Sequence, residues 1–321
     1  MTRESLRMGR GVWVVGLTAF AATCVSLSPI ACSSSDNDEP LRTADASSDT
    51  LLVPPAPCDL SKDFGAPTTV PGLPTGAAKG SGGRLSPDEL AIYYDDGKGL
   101  VAATRPDRSS PFTTKAWFDA VNSGKGDYTP WVSADGRTVF FVSGRTDGAG
   151  TLFRAERSDT GGAFGPAKEE PVRPFVNGVT EPYVRENVEL WFGLRSGTDA
   201  RIARSAIASD GGFEPAAAQS ELREGSSSDG SPVISSDGLT IFFASKRPTS
   251  VDYDIWTATR ASATGTFSKP TRVPSLSTAY SDSPTWISSD SCRLYLTSDR
   301  PEGTSDAGAN TPHIWVSARP H

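Results

Sequence analysis

Pro130-Trp131-Val132-Ser133-Ala134-Asp135-Gly136-Arg137-Thr138-Val139-Phe140-Phe141-Val142-Ser143-Gly144-Arg145 returns later in the chain as Pro232-Val233-Ile234-Ser235-Ser236-Asp237-Gly238-Leu239-Thr240-Ile241-Phe242-Phe243-Ala244-Ser245-Lys246-Arg247. Each copy holds two short runs of β-branched and aromatic residues, bounded by Pro, Ser, Asp and Gly. Runs of that length and composition are strands rather than helices. The Asp-Gly between them is a hairpin turn, because both residues tolerate the positive φ that tight turns demand.

The same order of elements extends in both directions. Taking the turn as a ruler, it falls at Asp88, Asp135, Asn187, Asp237 and Asp290, about fifty residues apart. An apolar pair follows each turn: Tyr93-Tyr94, Phe140-Phe141, Trp191-Phe192, Phe242-Phe243 and Leu294-Tyr295. A basic residue closes that run at Lys98, Arg145, Arg195, Arg247 and Arg300, and a third apolar run ends at Arg105, Arg157, Arg204, Arg260 and Arg319. A fourth segment opens on Phe112, Phe164, Phe213 or Phe267. Proline in most of these segments suits an edge strand, where a missing N–H breaks no ladder. A fixed period of this length marks a solenoid, propeller or array. Four antiparallel strands per unit and five units predict an all-β, five-bladed β-propeller.

The Pro-x-x-Ser-x-Asp-Gly stretch, the aromatic pair, Ser-x-Arg and Asp254-Ile255-Trp256 together resemble the TolB-type (WD40-like) propeller repeat over residues 82–319. The resemblance implies a fold and not a function, since such repeats serve unrelated roles. The third unit departs most: Asn187 stands for the turn Asp, Arg185 for Ser, and Arg195 comes early. The first unit lacks the leading proline.

Phe64, Pro67, Val70, Pro71 and Leu73 repeat the spacing of Phe267, Pro270, Val273, Pro274 and Leu276. The chain thus starts with an outer strand lacking a blade and ends with a blade lacking an outer strand. Residues 64–73 are expected to complete the last blade and close the ring.

Of 321 residues, the first 31 read as an export signal: Arg3, Arg7 and Arg10 precede an apolar run from Val12 to Leu27. Ala31-Cys32 followed by three serines resembles a bacterial lipoprotein processing site, with Cys32 the lipidated residue. Residues 32–57, rich in Ser, Asp and Pro, read as a disordered tether. Residues 58–321 form the propeller domain. The expected location is the cell envelope, anchored to a membrane by lipid; the alternative is a secreted or periplasmic protein. Once the signal is removed and Cys32 acylated, Cys58 and Cys292 are the remaining thiols, and an oxidising compartment favours a bond between them.

The net charge of −7 and pI near 5.0 argue against a nucleic-acid partner. With two histidines, His313 and His321, the chain lacks material for a Ser-His-Asp triad or a His-ligated zinc. No cofactor motif occurs. The expectation is a binding or scaffolding module for an envelope protein or a glycan. The alternative is a glycosidase-like enzyme using carboxylates at a channel mouth. First strands line a propeller's channel. The candidate ligand residues are the acids Asp127, Glu181, Asp229 and Asp282, one to three residues before the prolines that open those strands and so expected near one mouth, and the rings Trp131, Tyr183 and Trp286 just after the prolines. The repeated turn Asp and basic residues read as blade-building groups. Trp117-Phe118 reads as a patch on a partner surface or against the N-terminal segment.

Overall fold

The computed structural model describes residues 58–321 except 74–81, 147–149, 176–177, 186, 198, 249 and 302–310; the export signal, Cys32 and the tether lie outside the described residues. Five sheets of four antiparallel strands form the ring. Blade 1 runs Arg84–Leu85, Ala91–Asp95, Leu100–Thr104 and Thr114–Trp117. Blade 2 runs Asp127–Val132, Thr138–Ser143, Thr151–Glu156 and Lys168–Glu169. Blade 3 runs Val179–Arg185, Glu189–Ser196, Asp199–Ala206 and Ala217–Ala218. Blade 4 runs Ser228–Ile234, Thr240–Lys246, Asp254–Thr259 and Thr271–Arg272. Blade 5 runs Asp282–Ile287, Arg293–Ser298 and His313–Ala318, and its outer strand is Thr68–Thr69, from the start of the domain.

The aromatic pair has a simple cause. Each second strand lies between two neighbouring blades, so both of its faces are buried. Phe140 and Phe141, Trp191 and Phe192, Phe242 and Phe243 are all buried although they point opposite ways. A half-solvated strand would alternate with polar residues instead.

The outer segment is held by one recurring device. The arginine ending the third strand donates from Nε to the carbonyl of the positive-φ turn residue: Arg105 to Glu89, Arg157 to Gly136, Arg260 to Gly238 and Arg319 to Ser291. Its guanidinium then lies over the phenylalanine that opens the fourth segment, 4.1–4.5 Å from the ring centroids of Phe112, Phe164, Phe267 and Phe64. Blade 3 has Ile207 at this place, bridged to Phe213.

Turn geometry corrects one alignment. The positive-φ turn residues are Glu89, Gly136, Asn187, Gly238 and Ser291. Asn187 therefore occupies the place of Gly136, one residue after the turn Asp, and the blade 3 turn is one residue shorter. In the other blades the turn Asp accepts from a Ser hydroxyl two residues before it and an N–H two residues after it: Ser86 and Leu90 for Asp88, Ser133 and Arg137 for Asp135, Ser235 and Leu239 for Asp237, Ser288 and Cys292 for Asp290. Blade 3 replaces that bracket with buried Glu189, paired with Arg185 and Arg204.

At the seam Thr68 pairs with Val316 and Thr69 with Trp315. Cys58 and Cys292 are disulfide-bonded, with Cα atoms 5.7 Å apart. The bond spans the end of the third strand because Asp59 N–H donates to Pro320 while Arg319 N–H donates to Cys292. Blades 5 and 1 are further joined by Arg293 gripping Glu89 and by the Thr285 hydroxyl donating to the Gly83 carbonyl.

Candidate functional site

The register of first and second strands puts each candidate residue at a definite level of the channel. Arg84 stands opposite Tyr93, Trp131 opposite Phe140, Tyr183 opposite Trp191, Val233 opposite Phe242 and Trp286 opposite Tyr295. These five form one level. Trp131, Tyr183 and Trp286 are buried within the main core cluster, against Phe140 and Tyr295 among others. Together with Arg84 they line a cavity of about 180 Å³ toward the hairpin-turn end.

Arg84 is the residue that sequence reasoning missed. It sits where its neighbours carry rings, is 2 % exposed, and donates from Nη1 to the Thr129 carbonyl at 3.2 Å, while Nε has no partner. Burial pulls its guanidinium down to about 10, against the opposing pull of Tyr183 and Glu181. The signal was available: an arginine at the aromatic position of a repeat.

Four residues before the ring level stand Asp127, Asp229 and Asp282, at the opposite end of the first strands. Each faces a serine across the ladder, Ser143, Ser245 and Ser298, and accepts its hydroxyl at 2.5–2.6 Å. Asp127 and Asp282 also take Nη2 of Arg145 and Arg300, which reach on to the carbonyls of Val121 and Leu276. The second oxygens accept from Ser123, Ser227 and Thr278. These three carboxylates brace strand one to strand two and to the incoming connection. Burial works to raise Asp127, but Ser143, Arg145 and Ser123 together hold it below the usual carboxylate range; in Asp229 burial outweighs Ser245 and Ser227, and the carboxyl is pushed up.

Glu181 is not the fourth member of that set. The equivalent place in blade 3 is Val179, opposite Leu194. Glu181 is equivalent to Thr129 and Ser231, and all three precede a proline at a strand bulge with φ of 46–53°. A non-glycine residue in that region is strained and re-aims its side chain. Here the bulge turns Glu181 into the channel, where Oε2 accepts the Ser231 N–H at 3.4 Å. Gly193 makes room for it: a Cβ there would lie 2.3 Å from the Thr180 hydroxyl oxygen and 2.8 Å from Glu181 Oε2.

The candidate residues thus divide between the two ends. Glu181 and Asp229 share a cavity of about 290 Å³ between blades 3, 4 and 5; Trp131, Tyr183 and Trp286 line the other end. The two groups do not form one site. Trp117 is 41 % exposed under Lys115, whereas Phe118 is buried against Tyr93 and Phe164. Among the described residues no group of three or more His, Cys, Asp or Glu is arranged to hold a metal ion.

This geometry defines a five-bladed β-propeller with a polar cavity at one channel mouth. No family model matches the sequence, and no curated protein matches it. Among solved structures it is similar to a thermostable family-43 glycoside hydrolase, with 15 % identity, 78 % of this chain and 91 % of the other covered, and TM-score 0.50. It is also similar to a putative TolB from Agrobacterium tumefaciens (14 %, 75 % and 90 %, 0.44) and to an α-L-arabinofuranosidase from Podospora anserina (12 %, 80 % and 96 %, 0.48). At these identities the likeness is one of fold.

Proposed function

We propose that this protein is a lipid-anchored, extracytoplasmic β-propeller that binds or scaffolds an envelope protein or a glycan. One observation carries the binding reading. The repeated acids Asp127, Asp229 and Asp282 have both oxygens occupied by groups of their own blade or its connection. A carboxylate so held is a construction element, and a general acid or nucleophile must be able to reach substrate. The anchor rests on the sequence alone, on Ala31-Cys32 behind an apolar export signal.

A glycosidase is the second reading, favoured by a specific observation: Glu181 and Asp229 line one cavity, and burial pushes the Asp229 carboxyl up, the direction a proton donor needs. The two readings separate in one assay. Purified protein incubated with arabinan, xylan and chitin oligosaccharides is expected to release no reducing sugar. Robust hydrolysis, abolished by Glu181→Gln or Asp229→Asn, would replace the binding reading with the enzymatic one. For the anchor, cell fractionation of Cys32→Ser is expected to move the protein from membrane to soluble fractions. Equal solubility of both forms, with no acyl mass on the wild type, would refute lipidation.

A further inference from the structure

The cavity between blades 3, 4 and 5 exists because small residues stand where another blade carries large ones. Across the ladder at this level, blade 2 pairs Tyr128 with Val142, whereas blade 3 pairs Thr180 with Gly193, blade 4 pairs Gly230 with Ala244 and blade 5 pairs Ser283 with Thr297. The space left is about 290 Å³, at the lower edge of the volumes of small-molecule sites.

What faces the space is rich in acceptors. Glu181 enters from the blade 3 bulge, beside Ser231 of blade 4. Asp299 enters from blade 5, fixed by the Ser281 N–H on one oxygen at 2.8 Å. The Tyr253 ring forms part of the wall, its hydroxyl bonded to the Ser228 hydroxyl at 2.8 Å. Among the described residues the one lining cation is Arg195, which is exposed, so that water screens it.

Thr297 supplies an independent sign of a ligand. It lines the cavity, is 7 % exposed, and its hydroxyl oxygen has no hydrogen-bond partner. A buried hydroxyl left unpaired is unfavourable. The fold does not need one here, since Val142, Gly193 and Ala244 take the same place in other blades.

We propose that this cavity binds a single sugar residue of neutral or amino type and excludes acidic sugars. The proposal rests on the binding-module reading and gives that module its ligand class. A sugar ring presents hydroxyl donors to carboxylates and hydroxyls and an apolar face to an aromatic ring. An ammonium substituent adds attraction to Glu181 and Asp299; a uronate carboxylate brings like charges together in a partly desolvated space.

Methyl glucosaminide, methyl glucoside and methyl glucuronide test this directly, because they share a ring and differ in charge. Titrated into the full mature chain at low salt, they are expected to bind in that order, with at least about a tenfold span between the first and last. Thr297→Val and Tyr253→Ala are each expected to weaken the best probe about fivefold or more with an unchanged melting temperature. Thr297→Ser, which keeps the hydroxyl, is expected to bind as wild type. Binding of none of the three probes, the reverse order, or full binding by folded Thr297→Val and Tyr253→Ala would each overturn the sugar site. Turnover of an oligosaccharide in the same samples would overturn the binding-module reading instead, so the two failures are distinct.

Discussion

Asp95 ends the second strand of blade 1 at the level where other blades carry Val142, Gly193, Ala244 and Thr297. Its side chain is buried and accepts the Thr129 N–H, while Oδ2 has no partner. Burial pushes this carboxyl up to about 7, against the backbone N–H bonds that favour its charged form. The folded chain therefore holds a proton more tightly than the unfolded chain between about pH 4 and pH 7. The contribution is fully present below the unfolded value and is lost as pH rises through the folded one. The difference between the two values corresponds to roughly 4 kcal/mol. Asp95→Asn is expected to raise the melting temperature at pH 8 and to leave it nearly unchanged at pH 4. An equal effect at both pH values would show that the fold does not raise the Asp95 carboxyl.

The arginine-on-phenylalanine latch explains at the level of elements why a fourth strand of two residues stays in place. In blade 4, Arg260 holds the turn carbonyl and covers Phe267; in blade 3, Ile207 can do neither. Local opening follows the weakest set of contacts. Amides of residues 213–219 are thus expected to exchange about tenfold faster than those of residues 267–273, read by hydrogen-exchange mass spectrometry. Equal protection would remove the latch as the reason. The blade pattern was legible in the sequence because both-sided burial forces an aromatic pair and tight turns force Asp and Gly. The blade 3 turn was not, because Asn187 takes the positive φ that Gly136 and Gly238 supply in blades 2 and 4, and the turn is one residue shorter. The site was less legible still. Spacing from a proline groups Glu181 with Asp127, but the bulge shifts register there, and only the ladder shows that Val179 is the true equivalent. Arg84 escaped notice because the first unit lacks the leading proline that marks the strand elsewhere, although counting back from Asp88 sets it at the place of Trp131.

The propeller domain is a ring whose ends meet in blade 5. The Cys58–Cys292 bond closes a segment with sequence separation 234, so an entropic account assigns it about 5 kcal/mol of constraint on the unfolded chain. Reduction is expected to lower the urea midpoint and to steepen the transition, because the released unfolded chain exposes more surface; an unchanged midpoint would mean that Thr68–Thr69 and the Glu89–Arg293 pair close the seam unaided. Ring closure leaves a channel, and what lines it decides between binding and catalysis. Asp127, Asp229 and Asp282 brace the blades, while Glu181 faces the cavity between blades 3, 4 and 5. Urea unfolding of Asp127→Asn, Asp229→Asn, Asp282→Asn and Glu181→Gln tests that division most directly. Asp127→Asn and Asp282→Asn are expected to lose about 2–4 kcal/mol each, because serine and arginine donors are left facing an amide. Asp229→Asn, which has serine donors alone and a carboxyl that burial pushes up, is expected to lose less, and Glu181→Gln is expected to stay within about 1 kcal/mol of wild type. Aspartate variants as stable as wild type, with Glu181→Gln strongly destabilised, would contradict it.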